Sequence, residues 1–366
     1  MSIQVRAAVA FGQNQPMRLE TLQLDGPREN EVLIKMKAAG LCRSDLMLFD
    51  GTRTEWSDYP IVLGHEGAGL VVECGPGVTS VRPGDHVIPV AIPECGRCAA
   101  CLSGRTNQCD EYFRPTVRRP FSLDGKPIRA FCELGTFADH IVVREMQVTK
   151  IRTDAPLDVV CCLGCAGMTG IGSALYTAKV EKNSTVVVFG AGGIGLNVMQ
   201  GARLAGAKMI IAVDVNSTKE TGARASGATH FVNSQEIAAQ ELVGLLHELT
   251  GGGADYSFEC VGGQQLLRTA VESTRRGWGT TVMVGVLPGK EEVNLRPRAI
   301  LEGRKLMGAY LGNVRTRTDL PTLVEWAMER KLTLDSLISH RISLSEIERG
   351  FAMLESGETL RTVVVF

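Results

Sequence analysis

Residues 185–195 read Thr185-Val186-Val187-Val188-Phe189-Gly190-Ala191-Gly192-Gly193-Ile194-Gly195. Five β-branched or aromatic residues in a row predict a short strand buried on both faces. The glycines that follow have the spacing G-x-G-x-x-G and open a helix-like stretch from Ile194 to Ala205. Gly190 permits a tight turn, Gly192 lets the backbone approach a pyrophosphate, and Gly195 allows the helix to press on the strand. Gly193 and Ile194 belong to the helix N-terminus, whose free N–H groups suit phosphate oxygens. A second strand, Met209–Val213, leads to Asp214, 19 residues after Gly195. A carboxylate there accepts hydrogen bonds from the adenosine ribose hydroxyls and repels a 2′-phosphate, which favours NAD over NADP.

Outward from this unit, Tyr256–Cys260 and Thr281–Gly285 read as further buried strands with helical stretches between them. Strand–helix alternation predicts a doubly wound parallel α/β sheet. The chain before residue 166 has another rhythm. Val5–Val9, Glu31–Met36, Gly69–Glu73 and His86–Val90 are short strands separated by turns such as CGPG and RPGD, the pattern of a β-rich barrel or sandwich. A helix over Leu320–Arg330 and a strand over Arg361–Phe366 close the chain.

The 366 residues suit two domains, and 44% hydrophobic with 22% charged residues excludes a disordered chain. With 39 basic and 40 acidic residues there is no global field to attract nucleic acid or an anionic membrane. No run of 18 apolar residues exists, and the N-terminus lacks a signal peptide's apolar stretch. Eleven cysteines without such a leader point to metal rather than a disulfide scaffold, and the expected location is cytoplasmic.

Four of the cysteines, Cys95, Cys98, Cys101 and Cys109, are spaced C-x2-C-x2-C-x7-C. Four thiolates so close together can complete a tetrahedron around zinc with no open position, as in a structural site. By ligand type the same set also suits an iron–sulfur cluster. It also suits a nucleic-acid-binding zinc ribbon, although the flanks lack that module's basic and aromatic surface. Cys42 in GLCRSD, His65 and Glu66 in GHEGAG, and Cys165 in GCAGMTG are dispersed, and their spacing alone assembles no site. Two thiolates and one imidazole would make a three-ligand zinc with an open fourth position.

GLCRSD, GHEGAG, the four-cysteine loop, GCAGMTGIGSA, VVVFGAGGIG and SGETLRTVVVF occur together and in order. In this set the chain resembles the zinc-dependent medium-chain alcohol dehydrogenases over essentially its full length, nearest the liver-type and glutathione-dependent formaldehyde dehydrogenase branch. The resemblance implies a discontinuous GroES-like catalytic domain, 1–166 with 310–366, around a Rossmann domain, 167–309, with the active site in the cleft. It implies catalytic zinc on Cys42, His65 and Cys165, and structural zinc on Cys95, Cys98, Cys101 and Cys109. Asp45 would orient His65, and Glu66 would approach the metal during ligand exchange. Arg43 and Arg361 match positions that contact the cofactor pyrophosphate, Lys219 one near the adenosine ribose, and Thr169 one against the nicotinamide. Ser44 would take the alcohol proton. The implied reaction moves a hydride between an alcohol and NAD, giving an aldehyde or ketone. The implied assembly is a homodimer joined through the Rossmann sheets, or a tetramer, with no nucleic-acid or membrane partner.

The chain departs from that branch at several positions. Met47 stands where a histidine relays the proton, Arg53 where the glutathione-dependent enzymes carry an acid, and Phe113 where they carry an arginine, with Arg114 beside it. Ala91 stands where a bulky aromatic fills the liver-type pocket, whose other walls match Phe131, Cys132, Val286 and Leu301. The small side chain of Ala91 predicts a substrate bulkier than ethanol. The alternatives are a dehydrogenase of an S-(hydroxymethyl)thiol adduct such as that of glutathione, or a catalytically inactive nucleotide- or nucleic-acid-binding zinc protein.

Overall fold

A computed structural model describes residues 2–52, 58–114, 118–287 and 291–366. The chain forms two compact units, 1–165 with 315–366, and 166–314.

Among the described residues the first unit contains twelve strands: β1 (Ser2–Ala10), β2 (Arg18–Asp25), β3 (Glu31–Gly40), β4 (Ile61–Val62), β5 (Gly67–Cys74), β6 (His86–Pro89), β7 (Phe121–Leu123), β8 (Lys126–Ala130), β9 (His140–Arg144), β10 (Val148–Ile151), and, after the second unit, β17 (His340–Ile342) and β18 (Thr362–Val365). β1, β2, β7, β8 and β4 close a barrel, while β10, β6, β5, β3, β18 and β17 form a sheet with β9 also on β3. Closing the first set removes its exposed edges. Val5, Leu22, Leu24, Ile34 and Phe121 fill one core, and Leu41, Leu48, Leu63, Phe137 and Phe351 another.

The second unit is a six-stranded parallel sheet of β11 (Thr185–Phe189), β12 (Met209–Asp214), β13 (His230–Asn233), β14 (Tyr256–Glu259), β15 (Thr280–Met283) and β16 (Lys305–Gly308). Its order, β13-β12-β11-β14-β15-β16, is the 3-2-1-4-5-6 of the dinucleotide-binding fold. Every residue of β11 is buried, as a strand flanked by neighbours and covered on both faces must be. Chain order reverses between β11 and β14, so a crevice opens beyond Phe189 and Glu259, the usual ligand position in such sheets. No single helix among the described residues is long and apolar enough to cross a membrane.

The expected strands agree closely with β1, β3, β5, β6, β11, β12, β14, β15 and β18. β2, β4, β7 to β10, β13, β16 and β17 have no counterpart in the sequence reading. Most are short, and β16 is exposed at all four positions, so it carries no hydrophobic alternation to read.

Candidate active site

The centre of the first unit is built by strand pairing. Gly40 at the end of β3 lies opposite Val363 of β18, and Ala39 opposite Gly67 of β5. The residues just beyond these pairs therefore converge: Cys42 after β3, His65 and Glu66 before β5, Arg361 before β18. Cys165 joins them. The Cys42 and Cys165 sulfurs are 4.0 Å apart, and His65 Nε2 is 3.3 Å from Cys165 Sγ. All three ligand atoms lie within 4.8 Å of one another. Ligands on a tetrahedral zinc with bonds of about 2.0–2.3 Å stand roughly 3.5–3.8 Å apart, so the donor set fits the ion with little adjustment.

Asp45 sets the geometry of His65. It sits in the first turn of the helix Arg43–Phe49, fully buried, and accepts hydrogen bonds from Cys42 N, Gly64 N and His65 Nδ1 at 3.3, 2.9 and 3.1 Å. A carboxylate only accepts, so the ring proton rests on Nδ1 and the Nε2 lone pair faces the sulfurs. Phe131 packs edge-on against the other side of the ring, centroids 5.2 Å apart. Its hydrogen bond with Cys165 holds the Cys42 thiol well below its ordinary pKa; the same bond and burial push Cys165 well above. Burial opposes charge on His65, yet Asp45 and the two thiols outweigh it and raise the ring well above the usual imidazole value. A cation here displaces protons from these groups, which makes its binding pH-dependent.

Glu66 and Arg361 form a buried ion pair, Arg361 Nη1 also donating to Leu41 O at 3.0 Å. Burial pushes Glu66 up to about 7 against the pull of Arg361. Arg361, read from the sequence as a pyrophosphate contact, is thus turned inward and held by Glu66, a partnership between residues 295 apart that the motifs did not announce. Arg43 is exposed, Ser44 half-buried, and Met47 buried with a side chain that carries no proton.

The four-cysteine loop folds as the spacing requires. Cys95 and Cys101 sulfurs are 3.9 Å apart, Cys98 and Cys109 4.0 Å, and all four lie within 4.8 Å. Backbone N–H groups of Asp110 and Cys101 bring Cys98 down to about 6, so this thiol is ready to bind metal as thiolate near neutral pH. Of the other cysteines, Cys161 and Cys162 are buried, and Cys74, Cys132 and Cys260 partly so.

In the second unit, Gly190 has φ +94, where a side chain would be strained, and a β-carbon there would also meet Val261. A β-carbon on Gly195 would lie 1.8 Å from Gly190 O, while one on Gly192 would meet nothing within 4 Å. The first and third glycines thus serve packing, and the second faces the open space a pyrophosphate needs. Gly193 and Ile194 begin the helix Gly193–Leu204. Asp214 accepts from Ala191 N at 2.7 Å and Asn216 N at 2.9 Å and pairs with Lys219 at 3.1 Å, so it braces the glycine turn beside the ribose position. Thr169 is buried, and its hydroxyl has no hydrogen-bond partner among the described residues.

Three of the five expected pocket residues gather in the first unit: Phe131 against His65, and Ala91 and Cys132 through a shared hydrogen-bond partner, Gln147. The sequence reading missed Gln147. Val286 and Leu301 belong to the second unit and are exposed on it, Leu301 by 87%. Phe113 is exposed, Arg114 pairs with Glu111, and Arg53 lies outside the described residues.

Residues 28–153 match the family model of the alcohol dehydrogenase GroES-like domain, and residues 193–329 that of the zinc-binding dehydrogenases. The chain is 45% identical, over 100% of both sequences, to an S-(hydroxymethyl)glutathione dehydrogenase of Paracoccus denitrificans. It is also 45% identical, again over 100% of both, to a class-3 alcohol dehydrogenase of Cereibacter sphaeroides. Among solved structures it is similar to benzyl alcohol dehydrogenase from Acinetobacter calcoaceticus, with a TM-score of 0.92 and 29% identity over 100% of this chain and 99% of that one. These likenesses run the whole length of a chain that gathers two donor sets suited to zinc in its first unit and forms a dinucleotide-binding sheet in its second. The chain belongs to the zinc-dependent medium-chain alcohol dehydrogenases, on the glutathione-dependent formaldehyde dehydrogenase branch, and is an oxidoreductase whose cofactors are zinc and NAD.

Proposed function

We propose that the enzyme oxidises the S-(hydroxymethyl) adduct of a thiol, glutathione first among them, with NAD as hydride acceptor. The observation that carries this reading is the 45% identity, over 100% of both sequences, to an enzyme named for that substrate. When bound, the zinc supplies the Lewis acidity that lowers the pKa of a hydroxyl, and NAD accepts the hydride. Cys42, His65 and Cys165 would hold the metal, with Asp45 fixing the imidazole. Ser44, two residues after Cys42, receives the hydroxyl proton. Met47 cannot carry that proton onward, so from Ser44 it would pass to water. Gly190 to Gly195 would seat the pyrophosphate, and Asp214 with Lys219 would bind the adenosine ribose.

A second reading, oxidation of alcohols bulkier than ethanol, is favoured by Ala91, where a methyl group stands in the place of an aromatic ring, and by the likeness to benzyl alcohol dehydrogenase. An initial-rate panel separates the two. The adduct formed from formaldehyde and glutathione is expected to exceed benzyl alcohol at least tenfold in kcat/KM. A higher value for benzyl alcohol would transfer the assignment to the second reading.

The assembly we propose is a homodimer. Among the described residues β16 is paired only with β15 and leaves an edge open, with Ile300, Leu301, Leu306, Met307 and Tyr310 exposed around it. An apolar sheet edge of this kind is a pairing surface. Sedimentation equilibrium should give twice the 39.4 kDa chain mass, and Met307→Lys should shift it toward the monomer. A wild-type monomer at micromolar concentration would refute this assembly.

A further inference from the structure

Behind the Phe131–Cys132 wall, two consecutive residues with side chains, Cys132 (φ 53) and Glu133 (φ 59), occupy the left-handed region. Residues with a β-carbon avoid it, and a pair persists only where the surroundings hold both in place. Here both are held from one short segment. Gln147, 1% exposed, uses its amide to donate to Cys132 O at 3.2 Å and to Val90 O and Ala91 O at 3.4 Å. Arg144 donates from Nε to Gln147 Oε1 at 3.2 Å and places Nη2 2.8 Å from Glu133 Oε2. The segment therefore holds the main chain of Cys132, the side chain of Glu133 and the carbonyl of Ala91 together. The turn it fixes carries Phe131, whose carbonyl accepts from Leu134 N at 2.9 Å and whose ring lies against His65. Arg144 Nη1 also reaches to 4.0 Å from Glu111, two residues past Cys109, which ties this wall to the four-cysteine lobe.

We propose that Gln147 and Arg144 are specificity-determining positioning residues: they hold the left-handed Cys132–Glu133 turn closed against Ala91 and so set the width of the substrate pocket beside His65. The inference rests on the reading of Ala91, Phe131 and Cys132 as pocket walls. With Gln147 replaced by leucine, three carbonyls lose a donor and Arg144 Nε loses its acceptor. The turn then relaxes toward the ordinary φ of residues with side chains, and the wall moves away from Ala91. Small substrates lose contact and bulky ones do not.

The test is the ratio of kcat/KM for benzyl alcohol to that for 1-butanol, measured on the zinc-loaded full-length enzyme. A merely structural lesion lowers both values together and leaves the ratio unchanged. Gln147→Leu and Arg144→Met are each expected to raise the ratio fivefold or more, through KM for 1-butanol, at two zincs per chain. Should one variant not fold, the other carries the same expectation. Glycine adopts φ near +55 without strain. In a Cys132→Gly background only Glu133 (φ 59) stays strained, so Gln147→Leu should raise the ratio clearly less than it does in the wild type. A ratio within twofold of wild type in the folded variants, or an undiminished Gln147→Leu effect on the glycine background, overturns the proposal. Ala91→Phe separates its failure from that of the pocket reading. If Ala91→Phe moves the ratio and Gln147→Leu does not, the clamp alone is wrong. If neither moves it, the wall assignment falls and the clamp with it. Because neither substrate contains a thiol, the result is independent of whether the glutathione adduct is turned over.

Discussion

Cys42→Ala is expected to lower kcat/KM for alcohol oxidation by about three orders of magnitude while NADH binding and the four-cysteine site survive. Cys42 supplies one of the three protein donors that the described residues gather there, and its sulfur stands 4.0 Å from Cys165. Its loss leaves a two-ligand site, and Lewis-acid stabilisation is worth several kcal/mol of barrier. At about 1.4 kcal/mol per tenfold, three orders of magnitude follow. The expected dinucleotide residues belong to the second unit, where Asp214 accepts from Ala191 N and the Gly195 backbone packs closely against Gly190 O. Metal analysis should give one zinc per chain instead of two, and NADH fluorescence enhancement should be retained. Activity within tenfold of wild type would show that Cys42 is not a ligand the reaction needs.

Arg361→Leu should be the most damaging single change to stability outside the metal ligands. Removing one partner of a buried ion pair typically costs about 3–5 kcal/mol, because the remaining charge has no water. Glu66 is fully buried and is already raised to about 7 with the guanidinium present. Without Arg361 the carboxyl titrates higher still, so the folded state takes up a proton the unfolded chain does not. Stability from that proton is present at low pH and lost as pH rises through the folded value. The loss measured by urea unfolding should thus be larger at pH 8 than at pH 5.5. Glu66→Leu on top of Arg361→Leu should recover most of the stability, since a packed apolar pair often equals the ion pair it replaces. A loss below 1 kcal/mol at pH 8 would mean that water reaches Glu66.

How far the sequence could be read depended on whether the interacting groups are neighbours in the chain. In the four-cysteine loop and the turn from Phe189 to Gly195, ligand geometry and phosphate geometry are set by a dozen or so consecutive residues, so spacing carries the chemistry. β11 was legible for a related reason: a strand buried on both faces must be apolar throughout, and Thr185–Phe189 is. β16, β17 and the short strands of the barrel carry no such mark, because their hydrogen bonds come from neighbouring strands rather than from their own pattern. His65 and Cys165 are 100 residues apart, and each alone is an ordinary buried residue. Only the resemblance to a family joined them on paper.

The sequence by itself determined the dinucleotide fold, the four-thiolate site and the class of chemistry, all through local geometry and an ordered set of motifs. The tertiary structure alone decided what stands around the metal. Pairing of β3 with β5 and β18 brings Cys42, Glu66 and Arg361 to one point, so Arg361 faces Glu66. The turn at Cys132 is held by Gln147, a residue no motif contains. Both outcomes come from sheet register and close packing, which place side chains from distant segments in contact, and spacing along the chain does not encode that.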